Sequence, residues 1–294
     1  MTTTPFPTAG PVSPLTARKT WRTVEPIHGI IYFVPEAAAA YRQVGIAAEA
    51  GYFASRAAAM GAVSAETVIA TFYNFHPDLV RAALPAAWSV AAPSSILAAR
   101  TVAADGGLRR LLGDGVDSPE MARAAGLAQA AAHLAAAHLA GRPLFAGHAG
   151  LPWPDAPHLV LWQAQACLRE YRGDGHIAAL VLADVGPVEA LVVHVASGEV
   201  PQGFLRASRG WSDDEWSDGV ERVRSRGWLD DGPDLRLSPA GLAARQQVEE
   251  ETDRLAVRPY GAIGEAGCAE LRSLSRPFSR AIVEAGAFGV AAAA

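Results

Sequence analysis

The chain reads as one unit written twice, and nothing else in it constrains the fold as strongly. With an offset of 148, His28-Gly29-Ile30-Ile31-Tyr32-Phe33 falls on His176-Ile177-Ala178-Ala179-Leu180-Val181, and Ser64-Ala65-Glu66-Thr67 falls on Ser212-Asp213-Asp214-Glu215. After a short gap, Trp88-Ser89-Val90 and Ser95-Ile96-Leu97-Ala98-Ala99-Arg100 match Trp228-Leu229-Asp230 and Ser238-Pro239-Ala240-Gly241-Leu242-Ala243-Ala244-Arg245. A period this long marks a duplicated domain rather than a solenoid. Two copies in one chain predict an internal pseudo-dimer whose central cleft belongs to neither copy alone. The competing reading is a shared alanine-rich helical composition, because few matched positions are identical.

A length of 294 residues accommodates two ordinary domains, each with its own core. Half the residues are hydrophobic and many of those are Ala, which favours helix over sheet. Charged residues, His or Gly interrupt every apolar run well before membrane-spanning length, so no membrane partner is expected. The start, Met1-Thr2-Thr3-Thr4-Pro5, lacks the basic and apolar regions of a secretory signal, and the expected location is the cytoplasm. Cys167 and Cys268 show no metal spacing and read as buried, inert thiols.

The expected division is a disordered Pro/Thr leader over 1–16, a first winged-helix-like domain over 17–115 and a helical linker with a Pro/Trp loop over 116–156. A second winged-helix domain over 157–256 and a C-terminal helical segment over 257–294 follow. Within the first domain, Ser64 caps a helix at 65 and His76-Pro77-Asp78 starts another. Residues 95–112 and 118–140 read as long Ala-rich helices linking the copies, and 141–157 as a loop. In the second domain a helix over 157–172 precedes a turn at Gly173-Asp174-Gly175, and a new helix begins at His176. Ser212 with Glu215 forms a capping box, residues 228–237 read as a two-stranded turn, and Ser238-Pro239 opens the next helix. The predicted fold class is mostly α: a tandem winged helix-turn-helix pseudo-dimer with short β-wings.

Through Trp228-Leu229-Asp230 and Leu237-Ser238-Pro239-Ala240-Gly241, the C-terminal half resembles the winged domains of multiple-antibiotic-resistance type regulators. The whole chain resembles an actinobacterial helix-turn-helix family (SalK-like). The residues that carry this are Glu25-Pro26-Ile27-His28, Tyr73-Asn74-Phe75-His76-Pro77, Leu151-Pro152-Trp153-Pro154, Arg172-Gly173-Asp174-Gly175-His176 and Gly210-Trp211-Ser212. The resemblance spans nearly residues 17–285. It implies a helix-turn-helix fold and a place near antibiotic biosynthesis genes, and it implies no reaction.

A DNA reader needs cations where it meets phosphate. Residues 211–256 instead hold twelve acids against six arginines, and Asp230, Asp231 and Asp234 face only Arg236 in the wing. Nucleic acid is therefore an improbable partner, kept open by the fold and by Arg222-Val223-Arg224-Ser225-Arg226. Chemistry is better placed elsewhere. Helical spacing puts Glu25, His28 and Tyr32 on one stripe. His176, the counterpart of His28, follows Asp174 closely enough for the carboxylate to orient its ring, as a general base requires. Tyr73, Asn74 and His76 form an aromatic cluster with polar handles, Tyr52 with Arg56 could hold a carboxylate, and Trp153 lies on the Pro/Trp loop. The bland alternatives are that His76 only caps its helix, that His28 and His176 are satisfied core residues, and that Arg56 lies on the surface.

The sequence thus predicts a small organic ligand in a cavity between the two modules. The leading expectation is a tailoring or detoxifying enzyme of specialised metabolism, with His176 and Asp174 as general base, His28 and Glu25 as a second acid/base pair, and Tyr32, Tyr73 and Asn74 positioning the substrate. The alternative is a ligand-responsive regulator or an antibiotic-sequestering protein. No metal ligands are assigned, the cofactor is unknown with metal and haem left open, and a homodimer stays open.

Overall fold

A computed structural model describes residues 9–232 and 234–288. The chain starts with α1 (Pro14–Gly29), α2 (Pro35–Gln43), α3 (Ala48–Ala57), α4 (Ala65–Phe72), α5 (Pro77–Ala83), α6 (Ala86–Val90) and α7 (Pro93–Leu112). It continues through α8 (Pro119–Ala136), α9 (Pro143–Ala149) and α10 (Pro157–Leu182). The remaining helices are α11 (Pro187–Ala196), α12 (Gln202–Arg209), α13 (Asp213–Ser225), α14 (Pro239–Ala256) and α15 (Gly264–Glu284). The protein is mostly helical, and among the described residues there is no β-strand. Residues 1–8 of the expected leader and 289–294 of the expected C-terminal segment lie outside the described residues.

Many helix starts follow local chemistry. Pro occupies the first turn of α1, α2, α5, α7, α8, α9, α10, α11 and α14, where its missing N–H costs nothing. Ser13, Ser64, Ser118, Ser212 and Ser238 cap their helices by accepting a backbone N–H, and Ser212 forms the expected reciprocal box with Glu215.

One hydrophobic core runs from Ala17 of α1 through α10 and returns in α15. The alanine-rich α7 and α8 lie inside this core: α8 packs against α10 and α15, and α7 against α2. Small side chains at Ala124, Ala125, Ala128, Ala131 and Ala132 are what lets α8 bury a face against α10. A second, smaller core joins α11, α12 and α13 through Leu191, Val192, Leu205, Trp216 and Val223. The turn between α12 and α13 is made at Gly210, which has a left-handed φ of 80°.

The expected β-wing is reduced to one antiparallel bridge, Leu229 with Leu237, supported by Asp230 N–H donating to Arg236 O at 3.0 Å. Three aspartates crowd this turn and only the two leucines are buried, so no apolar face is available to lengthen a ladder. The loop expected over 141–157 contains α9. The turn expected at 173–175 is absent, because α10 runs unbroken for 26 residues, about 39 Å at helical rise. Gly175 serves packing instead of turning: a Cβ there would sit 3.0 Å from Arg142 Nη1 and 3.2 Å from Leu255 Cβ. That close approach seats α14 on α10 and offsets the poor helix propensity of glycine.

The unit formed by α11, α12 and α13, in which α12, the Gly210 turn and α13 make the helix-turn-helix, is docked on the body through residues 73–76. Trp211 Nε1 donates to Asn74 O at 3.0 Å, His76 N–H donates to Arg209 O at 2.8 Å, and Tyr73 Oη donates to Val185 O at 2.5 Å. Two glycines allow a contrast. In Gly241→Ala the new Cβ would collide with the Trp228 carbonyl, whereas at Gly203 it meets open space on an exposed helix. Urea unfolding is expected to show a loss of about 2 kcal/mol or more for Gly241→Ala, and a change between zero and a gain of about 1 kcal/mol for Gly203→Ala.

Candidate functional site

The middle of α10 carries a charged cluster in an otherwise apolar helix. Glu170 is 1 % exposed, a position open to a carboxylate only when it is fully paired. Arg56 of α3 supplies a two-pronged clamp, Nε to Oε1 at 2.9 Å and Nη2 to Oε2 at 2.6 Å. Arg169 approaches Oε1 at 3.4 Å and turns its Nε to Glu25 at 2.6 Å. Although burial pushes the Glu170 carboxyl up, the neighbouring guanidiniums outweigh it and hold the pKa well below the usual range. Glu25 is tilted the other way, its pKa raised by burial against the pull of Arg169.

Beside this cluster a cavity of about 400 Å³ opens between the body and the helix-turn-helix unit, a volume suited to a drug-sized molecule. Its walls include Tyr52, Arg56, Tyr73, Asn74, Asp174 and His176, all singled out in the sequence. An adjoining cavity of about 280 Å³ shares Arg56, Glu170, His176 and Glu249 and leads to Arg18, Trp21 and Arg22. Tyr73 sits at a φ of +62°, costing about 1–3 kcal/mol for a non-glycine residue, strain of the kind that concentrates at sites.

The expected Asp174–His176 pair does not form. Asp174 Oδ2 accepts the N–H of Phe145 at 2.9 Å, and His176 Nδ1 meets Thr252 Oγ1 at 2.9 Å. Two residues apart on one continuous helix, the side chains point in different directions. Thr252 spends its only proton on Val248 O at 2.7 Å, so its oxygen must accept from His176. That assigns the imidazole proton to Nδ1 and leaves the Nε2 lone pair unspent. Burial depresses the His176 pKa to about 4, so the ring is neutral at pH 7. Burial raises the Asp174 carboxyl to about 6, where it exchanges a proton near neutrality.

His28 and its partners form a separate, closed nest. The ring is fully buried, stacked on Trp162 at 5.5 Å, and 3.2 Å from Tyr32 Oη. Tyr32 accepts from Arg169 at 3.1 Å, and Arg100 lies over its ring with no carboxylate partner among the described residues. His28 Nδ1, Trp162 Nε1 and Arg100 Nε are buried without partners. His28 and His176 therefore do not face each other across one cleft; Glu25 reaches the cavity wall through Arg169, and Tyr32 through Arg169 and the Tyr52 ring at 5.3 Å. His76 caps α5 by accepting from Asp78 N–H at 3.1 Å and contacts Glu215 at 3.2 Å. Trp153 packs edge-on against His133, away from the cavity.

Sequence reasoning missed His194, Arg169, Glu170, Arg209 and Glu249, all in the cavity wall. His194 stands in the apolar run Leu191-Val192-Val193-His194-Val195, a pattern that reads as core. The run Arg169-Glu170 with Arg172, charged inside the apolar α10, was the available signal. Cys167 is buried with its thiol pushed up to about 12, and Cys268 to about 11, so both are inert. Among the described residues no three His, Cys, Asp or Glu side chains gather as a metal site requires. No single helix among them is long and apolar enough to cross a membrane.

These features sit on a helical body with an appended helix-turn-helix unit. The chain belongs to a helix-turn-helix family, whose family model matches residues 17–289. No curated protein matches the chain, and no solved structure does.

His28, His148 and His176 are all held neutral by burial, His148 and His176 at about 4 and His28 well below its ordinary value. Unfolded, each would take up a proton near pH 6.5, so between pH 6.5 and 4 the unfolded chain binds more protons and stability falls with pH. Asp174 and Glu25, with raised values, act in the opposite direction but are outnumbered. Guanidinium unfolding is expected to show the midpoint dropping from pH 7 to 5, with roughly 1.4 kcal/mol per pH unit from each fully titrating group. His148→Gln is expected to reduce that slope, and a slope unchanged by the substitution would contradict the assignment. Separately, Glu170→Gln strands Arg56, whose one carboxylate partner among the described residues is Glu170, and is expected to cost about 3–5 kcal/mol in the same assay.

Proposed function

We propose that this protein binds a small organic molecule between its helical body and its helix-turn-helix unit and performs acid/base chemistry on it, as a tailoring or detoxifying step in specialised metabolism. The observation that carries this reading is the convergence of Tyr52, Arg56, Tyr73, Asn74, Asp174 and His176 on one cavity. In it, Asp174 gives and takes the proton, because its carboxyl titrates near pH 6. His176 presents Nε2 as a neutral acceptor to a substrate hydroxyl or N–H, and Tyr73 with Asn74 bounds the substrate. His28 and Glu25 act at one remove, through Tyr32 and Arg169.

The scaffold of this reading is a duplicated winged helix whose second copy has given up DNA. Support comes from the matched order of Ser-capped and Pro-opened helices in the two halves. It also comes from the arginines of α13: Arg222 pairs with Glu189, Arg224 with Glu221 and the adjoining Arg226 with Asp184. Cations spent on carboxylates have little left for phosphate.

A second reading, a ligand-responsive regulator or sequestering protein, is favoured by one feature. Leu205 of α12 and Trp228 beside the bridge wall the same cavity, so an occupant touches the helix-turn-helix unit directly. Replacing His176 with Ala separates the readings. Turnover is expected to fall about a hundredfold with affinity nearly unchanged if the site is catalytic; a loss of affinity with no turnover to lose establishes binding alone. A gel shift on the promoter of the protein's own operon, at stated salt, is expected to show no specific complex, and a salt-resistant, sequence-dependent shift would establish the regulator.

A further inference from the structure

Most guanidiniums around the two cavities are matched; among the described residues the exposed Arg22 and the half-buried Arg209 are not. Arg56 is clamped on Glu170, Arg169 on Glu25, Arg172 on Asp253 at 2.7 Å, and Arg245 on Glu199 at 3.0 Å. Arg18 holds Glu249 and reaches Asp253 at 3.2 Å. Arg209, at the C-terminal end of α12, has no carboxylate partner among the described residues. Its Nη1 donates to Ser208 Oγ at 2.8 Å, while Nε is buried without a partner and Nη2 makes no hydrogen bond to any described residue. Nη2 is therefore the nitrogen left open to an incoming acceptor, while Nε is shut off from the cavity.

The surroundings of Arg209 sharpen the question of what neutralises it. The groups that act on it electrostatically are Tyr52, Arg56 and Arg169, a phenol and two further guanidiniums. Its guanidinium lies 4.4 Å over the Phe75 ring, and Phe75 stands 5.3 Å from the Tyr52 ring. An arginine stays charged when buried, and an uncompensated charge in such a place is costly. The backbone fixes the position, since Arg209 O accepts from His76 N–H across the seam between the two units. Here a lone cation and an aromatic shelf share the wall of an organic-sized cavity.

We propose that the cavity takes an organic acid: an apolar, ring-bearing body lying against Tyr52 and Phe75, with its carboxylate paired to the open Nη2 of Arg209. This rests on the reading of the cavity as a small-molecule site and names the class of molecule it takes. The carboxylate supplies the missing counter-charge, and His176 Nε2 and Asp174 remain for the rest of the molecule. Because Arg209 ends the first helix of the helix-turn-helix, the ligand's charge is read by the unit that closes over it.

The test uses the full chain and three probes. N-phenyl-1-naphthylamine, an uncharged fluorescent reporter, is titrated first, and 2-naphthoate and its uncharged counterpart 2-naphthamide are then used to displace it. In the unaltered protein 2-naphthoate is expected to displace the reporter at concentrations about 30-fold lower than 2-naphthamide. Arg209→Gln is expected to abolish that preference, read as the ratio of the two displacing concentrations within the variant, and Arg209→Lys to restore part of it. Equal displacement by the two naphthalenes, or a preference that survives in Arg209→Gln, overturns the organic-acid proposal and leaves the cavity as a binding site. Gly173→Leu guards the underlying reading, since Gly173 lines both cavities and a Cβ there meets nothing closer than Glu170 Oε2 at 3.6 Å. Reporter binding that is absent, or unaffected by Gly173→Leu, overturns the small-molecule site itself and the organic acid with it.

Discussion

A single buried carboxylate organises this molecule. Glu170 sits in the middle of the longest helix, and it can remain ionised there only while Arg56 and Arg169 hold it. That requirement pulls α3 onto α10 and, through the Arg169–Glu25 pair, draws α1 against the same face. The three helices then meet at a charged floor rather than an apolar seam. Water-sized and larger space is left above it, because helices held apart by ion pairs cannot close down as aliphatic side chains would.

The second half of the fold exploits that opening. α10 continues past the cluster, so Asp174 and His176 stand on the same rigid rod as Glu170. α14 packs on that rod where Gly175 permits close contact, and it brings Thr252 to the imidazole and Glu249 to the shared cavity wall. The helix-turn-helix unit closes the remaining side through the seam at residues 73–76. In a DNA-reading protein the corresponding surface is left free and basic; here its turn is tied to the body, and Arg222 and Arg226 are tied to carboxylates.

Candidate residues were legible in the sequence where their side chains are unusual for their setting. Histidine beside glycine and aspartate in Arg172-Gly173-Asp174-Gly175-His176 and the aromatic run Tyr73-Asn74-Phe75 both lead to the cavity. That Asp174 and His176 turn to different partners was not legible. Adjacent glycines suggest a turn, and only the presence of Arg142 and Leu255 against Gly175 explains why the helix continues. His28 was a fair inference from its spacing to Glu25 and Tyr32, yet burial under Trp162 removes it from contact with any ligand.

Helix starts, caps and the mostly α character follow from the sequence alone, because Ser and Pro act through the backbone within three or four residues. The acid-rich character of residues 211–256 is likewise read directly from the sequence. Which atom each charged group faces was decided only by tertiary structure. Arg56 meets Glu170 across 114 positions and Arg172 meets Asp253 across 81, and no local pattern encodes a contact at that separation. Burial then sets the charge states, pushing Asp174 up and His176 down, since desolvation depends on the whole fold and not on neighbours in the chain.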